Sequence, residues 1–331
     1  MTTTIAVLGA GSWGTALAIA LARNGHAVRL WGHHAAHIAQ LAAERENRRY
    51  LPGVALPATL SPVASLATAL EGADDCLVVV PSAAFRALLL ELKPLFVPGQ
   101  RLAWATKGLD ARSGNLLHEV AEEVFGSVPL AVLSGPSFAR EVARGLPTAV
   151  TVAANDQAFA RDLAQAFHSD SFRVYTNSDI TGVELGGAVK NVLAVATGVS
   201  DGLGFGANAR AGLITRGLAE LLRLGQAMAA DPQTLMGLAG VGDLILTCTD
   251  DQSRNRRLGL ALGGGDKLPQ AVAAIGQTVE GVRTAREVHK LARRIGVEMP
   301  ICEQVYLLVE GRVSTIEAVR NLMEREPRRE F

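Results

Sequence analysis

One lysine lies in the middle of a glycine-rich segment that is otherwise uncharged. The segment "ELGGAVKNVLAVATGVS" covers 184–200, and between Glu184 and Asp201 its only charged residue is Lys190. A lysine at its ordinary pKa of about 10.4 is a poor base near neutral pH, but burial disfavours the charged ammonium and favours proton exchange. The alternative is a lysine whose stem covers apolar surface while its ammonium reaches water. The segment makes Lys190 a candidate general acid–base group.

The segment "GAGSWG" places three glycines at a spacing that suits dinucleotide binding. Gly9, Gly11 and Gly14 form a G-x-G-x-x-G pattern directly after a predicted strand and at the start of a predicted helix. The first glycine permits a tight turn, the second lets a pyrophosphate approach the backbone, and the third lets helix and strand pack closely. The N–H groups at the helix N-terminus then face the phosphates. We expect a bound dinucleotide rather than glycines that only permit a turn.

The end of the second predicted strand bears on which dinucleotide is bound. NAD-specific sites usually place Asp or Glu about 20 residues beyond the glycines, where the carboxylate binds the ribose 2′-hydroxyl. Here the sequence reads "LWGHHAAH", with His33 and His34 in the place of that acid. An imidazole can donate to a 2′-phosphate. The sequence therefore predicts NADPH or NADH as cofactor, with NADPH preferred, and the alternative is that His34 and His37 are ordinary surface histidines.

Two further segments follow predicted strands at the edge of the sheet where ligands of open α/β folds bind. Lys107 lies in "WATKGL", and "SGPSFA" contains Gly135, Pro136 and Ser137. The second segment forms a rigid loop that presents a backbone N–H and a hydroxyl group. A lysine that ends a strand is often only a solvated charge, which is the alternative for Lys107.

The segment 240–257, "GVGDLILTCTDDQSRNRR", concentrates polar groups in the helical half of the chain. Asp243 lies between glycines and an apolar run, an unusual place for an unpaired carboxylate. Ser253 can cap a helix whose first turn carries Arg254 and Asn255, and a helix N-terminus with a guanidinium suits a phosphate. A solvated basic face or an RNA contact are the alternatives. Glu280 precedes a further helix and is another candidate site residue. The alternative is that its carboxylate only stabilises the positive end of the helix dipole.

Two kinds of element must position these residues. Five apolar runs in the first half predict buried strands, and two more extend the sheet: 4–9, 26–32, 76–81, 101–106, 129–135, 148–154 and 172–177. From about residue 180 helical patterns replace them: 182–199, 209–229, 254–263, 281–295 and 299–311. We predict an α/β Rossmann-like domain with a doubly wound parallel sheet over 1–180, followed by an all-α substrate domain over 181–331.

The composition excludes several classes of protein. The 331 residues contain 32 Lys+Arg and 32 Asp+Glu, so the overall charge gives no reason to expect nucleic acid or anionic membrane as a partner. No apolar run predicts stable membrane insertion, and the N-terminus lacks the pattern of a secretory signal. Cys76, Cys248 and Cys302 form neither a disulfide framework nor a metal-binding pattern, so we expect a cytoplasmic protein with no metal.

Together these stretches resemble a known family, the bacterial-type NAD(P)-dependent glycerol-3-phosphate dehydrogenases. The resemblance runs through nearly the whole chain, and its motifs occur in the family's order. They are "GAGSWGTALA", "LWGH", "LVVVPS", "WATKGL", "SGPSFA", "GLPTA", "ELGGAVKN", "SDGLGFGANARAGLITRGLAE", "GLAGVGDLILTCT", "QSRNRR" and "VEG". The family combines a dinucleotide domain with an all-α substrate domain, which agrees with the predicted organisation.

The resemblance implies roles for individual residues. Lys190 is implied as the proton acceptor. Implied contacts to substrate are Lys107, Gly135, Ser137, Lys190, Asp243, Ser253, Arg254 and Asn255. Implied contacts to the cofactor, besides the three glycines, are Ser12, Trp13, His33, His34, Lys107, Ala139, Arg254, Thr278 and Glu280. Thr278 stands where the family would have a valine, so the sequence departs from the pattern there.

The implied reaction interconverts dihydroxyacetone phosphate and sn-glycerol 3-phosphate, a precursor of glycerophospholipids, by hydride transfer with NAD(P)H. A homodimer is compatible with the sequence, which leaves the oligomeric state open. One alternative is a β-hydroxyacid dehydrogenase, a family that usually has asparagine four positions after the lysine; here that position is Ala194, and Asn191 is adjacent instead. The other alternative is a non-catalytic NADPH-binding sensor, which would not need Lys190, Lys107, Asp243 and Arg254 together.

Overall fold

A computed structural model describes residues 3–326 of the chain, and they form two compact units. The first unit contains the residues up to Asp110 and Asn115–Glu184, and the second contains Ala111–Gly114 and the residues from Leu185 onward. The first is an α/β unit and the second is helical. The division into domains at residue 180 stays a prediction.

The first unit is built around an eight-stranded sheet and a small hairpin. In chain order the strands are β1 (Thr4–Leu8), β2 (Ala27–Trp31), β3 (Glu46–Asn47), β4 (Leu51–Ala55), β5 (Leu60–Val63), β6 (Asp75–Val78), β7 (Arg101–Trp104), β8 (Leu130–Ser134), β9 (Thr148–Ala154) and β10 (Phe172–Asn177). The large sheet has the order β10-β9-β8-β7-β6-β1-β2-β5, while β3 and β4 pair with each other. When the strands of the large sheet are counted along the chain without the hairpin, the first six take the 3-2-1-4-5-6 order of dinucleotide-binding folds.

Helices connect these strands and cover the sheet. They are α1 (Ser12–Arg23), α2 (Ala35–Glu44), α3 (Leu66–Leu70), α4 (Ser82–Leu92), α5 (Leu117–Phe125), α6 (Ala139–Arg144) and α7 (Gln157–Phe167). Strands β6 and β8 are buried along their whole length, and β1 is buried from Ile5 onward, as expected for parallel strands with helices on both faces. The predicted doubly wound α/β fold is confirmed.

The sheet departs from the prediction at one pairing. β8 and β9 are antiparallel, and β10 pairs parallel to β9, so the last two strands run against the others. The only helix between β8 and β9 in this part of the chain is α6, which has six residues and a length of about 9 Å. It does not carry the chain back along the full length of a strand, as a parallel crossover requires.

The second unit is formed by helices, as predicted. They are α8 (Ile180–Gly202), whose first residues belong to the first unit, α9 (Gly206–Ala227), α10 (Pro232–Met236), α11 (Asp243–Thr249), α12 (Arg254–Gly263), α13 (Leu268–Ile275), α14 (Glu280–Ile295), α15 (Pro300–Val309) and α16 (Thr315–Met323). No helix in residues 3–326 is long and apolar enough to span a membrane.

Glycines bring α8 and α12 into direct backbone contact. A Cβ atom on Gly198 would lie 2.2 Å from the carbonyl oxygen of Arg256, and one on Gly202 would lie 2.4 Å from that of Leu260. The reverse also holds, since a Cβ on Gly259 would lie 2.2 Å from the oxygen of Val195. The residue numbers of the contacting pairs increase in the same direction along both helices, so the two helices run parallel. The C-terminal part of α8, from Val195 to Gly202, therefore lies along α12.

Candidate functional site

The glycine loop after β1 has a closed turn and one open position. Gly9 has φ +131°, in the left-handed region that favours glycine, and a Cβ there would lie 2.2 Å from the carbonyl oxygen of Val79. A Cβ on Gly14 would lie 1.9 Å from the oxygen of Gly9, which shows how closely α1 packs on the loop. A Cβ on Gly11 would meet no atom within 4 Å. The space a pyrophosphate needs at the start of α1 is therefore present.

Most of the predicted cofactor residues lie around this loop. Ser12 and Trp13 begin α1, and Trp13 and Ala139 pack against the same hydrophobic core. The loop also adjoins β2, because the N–H of Gly9 donates to the carbonyl oxygen of Trp31 at 2.8 Å. His33 follows two residues later. The structure thus places the glycine loop and the two histidines at the carboxyl ends of the neighbouring strands β1 and β2, while Lys107 follows β7 and Ala139 begins α6.

His33 and His34 lie side by side on the surface after β2. Their ring centroids are 3.7 Å apart with an angle of 42° between the planes, and both residues are exposed. Burial lowers the pKa of His33, and His34 and His37 lower it further. No acidic residue occupies the position at which an NAD-specific site binds the ribose.

The structure brings three other predicted residues together at the ends of β7 and β8. Nζ of Lys107 donates to the carbonyl oxygen of Gly135 at 3.3 Å, and the hydroxyl of Ser137 donates to the same oxygen at 2.9 Å. The two strands are neighbours in the sheet, so the residues that follow them meet at one edge. A cation and a hydroxyl group at one carbonyl suit a small polar ligand.

In the second unit Lys190 is buried, as its segment predicted. The residue is 7% exposed, and Nζ donates to Oδ1 of Asp243 at 2.5 Å. Asp243 is 1% exposed. The ammonium therefore does not extend into water, which removes the alternative of a lysine that only covers apolar surface.

A glycine contact explains how Asp243 reaches the lysine. A Cβ on Gly186 would lie 2.3 Å from the carbonyl oxygen of Ala239, so α8 touches the backbone of the turn at 238–242 that precedes α11. Asp243 is the first residue of α11. The hydroxyl of Thr247, one turn further, lies 3.4 Å from Oδ1 of Asp243. This hydroxyl adds a polar neighbour to the buried ion pair.

The start of α12 lies beside the lysine. Ser253 is the N-cap of α12, and its hydroxyl accepts from the N–H of Arg256 at 3.2 Å, so the predicted cap is present. Nδ2 of Asn255 donates to Oδ1 of Asn191, next to Lys190, at 2.8 Å. The N–H of Gly281 donates to Oδ1 of Asn255 at 2.9 Å. Asn255 thus links α8, α12 and α14, a positioning role that its assignment as a substrate residue did not include.

The arginines of α12 have different environments. Arg254, the first residue of the helix, is half-buried, and its side chain makes no hydrogen bond or ion pair to any residue in 3–326. Arg256 is buried and bound to Asp201 at 2.5 Å and Asp251 at 2.9 Å, while Arg257 is exposed. Arg254 is therefore the arginine at the helix start that is available to an anion.

The predicted cofactor residues of the second unit lie at the start of α14. Glu280 is the first residue of α14 and is half-buried, and Thr278 is exposed. The bond from Gly281 to Asn255 keeps this helix start next to α12. The cofactor roles of Thr278, Glu280 and Arg254 stay predictions.

Sequence reasoning missed Glu184, a buried carboxylate at the start of α8. Its Oε1 accepts from Nε1 of Trp104 at 3.0 Å, and its Oε2 lies 2.6 Å from Nδ1 of His118. Burial raises the pKa of Glu184, and the bonds from His118 and Trp104 oppose that rise. Burial lowers the pKa of His118, but the hydrogen bond and charge of Glu184 outweigh it and the pKa is raised. The available signal was a carboxylate at the edge of an apolar segment.

A second missed carboxylate, Glu220, supports the helical unit. It lies on α9, is 1% exposed, and accepts from the N–H groups of Ile301 at 2.6 Å and Cys302 at 3.1 Å. These are the first free N–H groups of α15, so Glu220 caps that helix from a distance. Burial raises the pKa of Glu220 to about 7. Nothing in the local sequence indicates this pairing.

No group of three or more His, Cys, Asp or Glu side chains in residues 3–326 is arranged to hold a metal ion.

Comparison with known proteins finds two matching family models and relatives of similar length. Residues 4–160 match the family model described as NAD-dependent glycerol-3-phosphate dehydrogenase N-terminus, and residues 179–320 match the corresponding C-terminus. Glycerol-3-phosphate dehydrogenase (NAD(P)+) of Alkalilimnicola ehrlichii is 65% identical over 322 residues, covering 97% of this chain and 97% of that protein. The protein of the same name from Halorhodospira halophila is 61% identical, covering 100% and 99%.

A solved structure agrees with the sequence matches. The crystal structure of glycerol-3-phosphate dehydrogenase from Coxiella burnetii superposes with a TM-score of 0.96 at 52% identity. The alignment covers 98% of this chain and 99% of that chain. The similarity extends over both units.

Proposed function

The chain belongs to the family of NAD-dependent glycerol-3-phosphate dehydrogenases, and from this premise we propose the reaction that its residues perform. The protein interconverts dihydroxyacetone phosphate and sn-glycerol 3-phosphate with NAD(P)H. The observation that supports this best is the buried pair Lys190–Asp243 beside a helix start that carries Arg254. The pair provides a proton-transfer group, and the helix start provides a site for a phosphate.

The dinucleotide is held by the glycine loop and the residues around it. The open space at Gly11 and the N-terminus of α1 fit a pyrophosphate. When bound, the nicotinamide supplies hydride to the substrate or accepts it. Ser12, Trp13, Lys107 and Ala139 are proposed contacts of the first unit, and Arg254, Thr278 and Glu280 of the second. His33 and His34 are proposed to favour NADPH, since no carboxylate there repels a 2′-phosphate.

Lys190 moves the proton. In the direction of ketone reduction its ammonium donates a proton to the carbonyl oxygen at C2, and in alcohol oxidation the neutral amine accepts the proton of the C2 hydroxyl. Asp243, at 2.5 Å, fixes the position of Nζ and stabilises its charge. Because this pair is buried, the reacting oxygen is kept from bulk water, which strengthens the interaction.

The phosphate of the substrate does not react, and its binding orients the carbon that does. Arg254 and the free N–H groups at the start of α12 are the proposed phosphate ligands, with Ser253 as the cap that defines the helix start. Asn255 holds this start against α8 through Asn191. Lys107, Gly135 and Ser137 are proposed as further substrate contacts. Such orientation by a non-reacting group is a large part of catalysis.

A spectrophotometric assay tests the proposal. Purified protein is mixed with dihydroxyacetone phosphate and NADPH, then NADH, and the absorbance of the reduced cofactor is followed. Unphosphorylated dihydroxyacetone serves as the control. Oxidation that requires the phosphate supports the reaction. Oxidation only with β-keto acids would favour a β-hydroxyacid dehydrogenase, and cofactor binding without turnover on any substrate would favour a sensor.

The cellular setting is also a proposal. All three cysteines are buried free thiols, which suits the reducing cytoplasm. Production of glycerol 3-phosphate there would supply the backbone of glycerophospholipids. Fluorescence of a tagged copy in fractionated cells tests the location.

We also infer a homodimer. A groove of about 1700 Å³ lies along α9, α15 and α16, and the exposed Phe205 and Met323 are among its lining residues. Its lining carries both signs of charge: Arg216, Arg223, Arg325, Glu298 and Glu326. A patch with both signs can be self-complementary, as a twofold interface requires. Light scattering after size exclusion should give twice the chain mass, and Met323→Glu, unlike Leu90→Glu on the first unit, should lower it.

A further inference from the structure

Two imidazoles after β2 are too close to carry two charges independently. The ring centroids of His33 and His34 are 3.7 Å apart. Protonation of one ring makes protonation of the other unfavourable, because like charges at this distance repel. An anion placed against the pair would reverse this effect. A bound anion therefore favours protonation at this pair.

A third imidazole connects this pair to the dinucleotide loop. His37 lies one helical turn along α2, and it is among the groups that lower the pKa of His33. Its Nε2 lies 3.1 Å from Oδ1 of Asn47. Asn47 is fully buried, and its Nδ2 donates to the carbonyl oxygen of Ala10 at 3.1 Å and to the hydroxyl of Thr15 at 2.8 Å. One buried amide thus ties His37 to the glycine loop and α1.

None of the three histidines has a carboxylate partner in residues 3–326, because the charged groups on the elements next to α2 bind other residues. The carboxylates of Glu44 and Glu46 pair with Arg48, at 3.4 Å and 3.6 Å. Arg45 donates to backbone carbonyl groups, among them that of Leu60 at 2.9 Å. The guanidinium of Arg49 lies over the ring of Tyr50, at 5.1 Å, and this ring contacts His37 edge-on at 5.2 Å. The surroundings of the three imidazoles are therefore neutral or positive.

We propose that His33, His34 and His37 form a proton-coupled site for the 2′-phosphate of NADPH, which takes up a proton from solvent when NADPH binds but not when NADH binds. The inference rests on the proposed cofactor role of the first unit and adds His37 and the proton. Its consequence is that the preference for NADPH over NADH increases as the pH falls.

Isothermal titration calorimetry tests the coupling directly. NADPH and NADH are titrated into the wild-type protein in buffers of different ionisation enthalpy, between about pH 7 and about pH 8.5, where the phosphate itself, with a pKa of about 6, is already dianionic. We expect uptake of about 0.5–1 proton with NADPH and none with NADH. By linkage, the ratio of the two dissociation constants should change by up to about tenfold per pH unit.

Glutamine variants separate charge from hydrogen bonding. His33→Gln and His34→Gln should each reduce the proton uptake and flatten the pH dependence for NADPH, while NADH affinity stays within about twofold. His37→Gln should have a smaller effect in the same direction. His289→Gln, a histidine of the helical unit stacked on Tyr306, is the matched control and should change nothing.

The outcomes distinguish this inference from the function on which it rests. Equal proton uptake with both cofactors, or a pH dependence that survives in His33→Gln and His34→Gln, would overturn the coupling while leaving the dehydrogenase function intact. Absence of binding by either cofactor would instead overturn the proposed function. Loss of NADH affinity in the glutamine variants equal to the loss of NADPH affinity would assign the histidines to the loop structure and not to the phosphate.

Discussion

Oε2 of Glu184 lies 2.6 Å from Nδ1 of His118 within the first unit of the chain, where Glu184 is buried and His118 is half-buried. Glu184 is in the same helix as Lys190, six residues earlier, which is about 9 Å along α8. The carboxylate therefore anchors the helix that carries the proposed proton-transfer group. The bonds to His118 and Trp104 fix the N-terminal end of that helix in position and rotation.

The first prediction concerns the titration of His118. In Glu184→Gln the shape of the side chain is kept but its charge is lost, so burial remains as the main influence and the pKa of His118 should fall below its ordinary value. Carbon-detected NMR of the histidine Cε1 signals measures this. His289, whose pKa is lowered by burial, is the internal control and should not move. An unchanged midpoint for His118 would disprove the proposed pairing.

The second prediction concerns catalysis. Lys190→Ala should lower kcat by about 10²–10⁴-fold, because a general acid–base group contributes on that order. The dissociation constant for NADPH should remain within a few-fold of the wild-type value. Lys290→Ala, an exposed lysine on α14, is the control and should be fully active. A Lys190→Ala variant that turns over within a few-fold of wild type would exclude the proton-transfer role.

The third prediction concerns the phosphate. Arg254→Ala should raise KM for dihydroxyacetone phosphate by about 10–100-fold, since a hydrogen bond to a charged group is worth about 1.5–3 kcal/mol. Because Arg254 is also a proposed contact of the cofactor, the comparison is made at saturating NADPH, where the rate with unphosphorylated dihydroxyacetone should change little. Arg257→Ala, three residues along the same helix and exposed, provides the matched comparison. Equal losses with both substrates would place Arg254 elsewhere than at the phosphate.

The fourth prediction concerns the contact between α8 and α12. In Gly198→Ala the new methyl group would meet the carbonyl oxygen of Arg256 and the Cα of Gly259, both of them backbone atoms that do not rotate away. The helices must separate, at about 1–3 kcal/mol of unfolding free energy. Chemical denaturation measures the loss, and KM for the phosphorylated substrate should rise because Arg254 moves. A variant as stable as wild type would show that the contact is looser than described.

The fifth prediction is a pH dependence of stability. The pKa of Glu220, about 7, is raised above that of an exposed carboxyl, so the folded state keeps its proton where the unfolded state has lost it. The stability from this group is complete below about pH 4.5 and is lost as the pH rises through about 7. Relative to Glu220→Gln, the Tm of wild type should therefore fall between about pH 5 and about pH 8.

Controls for the fifth prediction come from the same helical unit. Glu303→Gln, at an exposed position on α15, should follow the wild-type curve at every pH. Because other titrating groups are shared by all three proteins, they cancel in the difference between curves. A constant difference between wild type and Glu220→Gln would mean that the carboxyl titrates normally.

Much of the fold could be predicted from local sequence pattern. Apolar runs identified seven strands of the large sheet, and the glycine loop was identified because its spacing and its neighbours agree. Short elements were missed: β5, the β3–β4 hairpin, α10, α11, α13 and α16. Segments of this length contain too few residues for a period to stand out. The antiparallel direction of β9 depends on the length of α6, which periodicity does not report.

The candidate site could be predicted only in part, for a physical reason. Lys190 was identified because its own segment is apolar, and this is local information. The partners of Glu184 and Glu220 are 66 to 82 residues away in the chain. Asn255 was assigned to substrate, but its bonds to Asn191 and Gly281 depend on how three helices meet. Contacts of this kind arise from tertiary packing and leave no pattern in the sequence.

The backbone contact between α8 and α12 also bears on which substrates can be used. Lys190 and the start of α12 belong to helices that touch without intervening side chains, at Gly198, Gly202 and Gly259. The separation between the two helix backbones that carry the proton-transfer group and the phosphate ligands therefore does not depend on side-chain rotamers. Substrate length is selected by a fixed separation: molecules whose hydroxyl and phosphate are one carbon closer or further apart should bind through the phosphate and act as competitive inhibitors without being turned over.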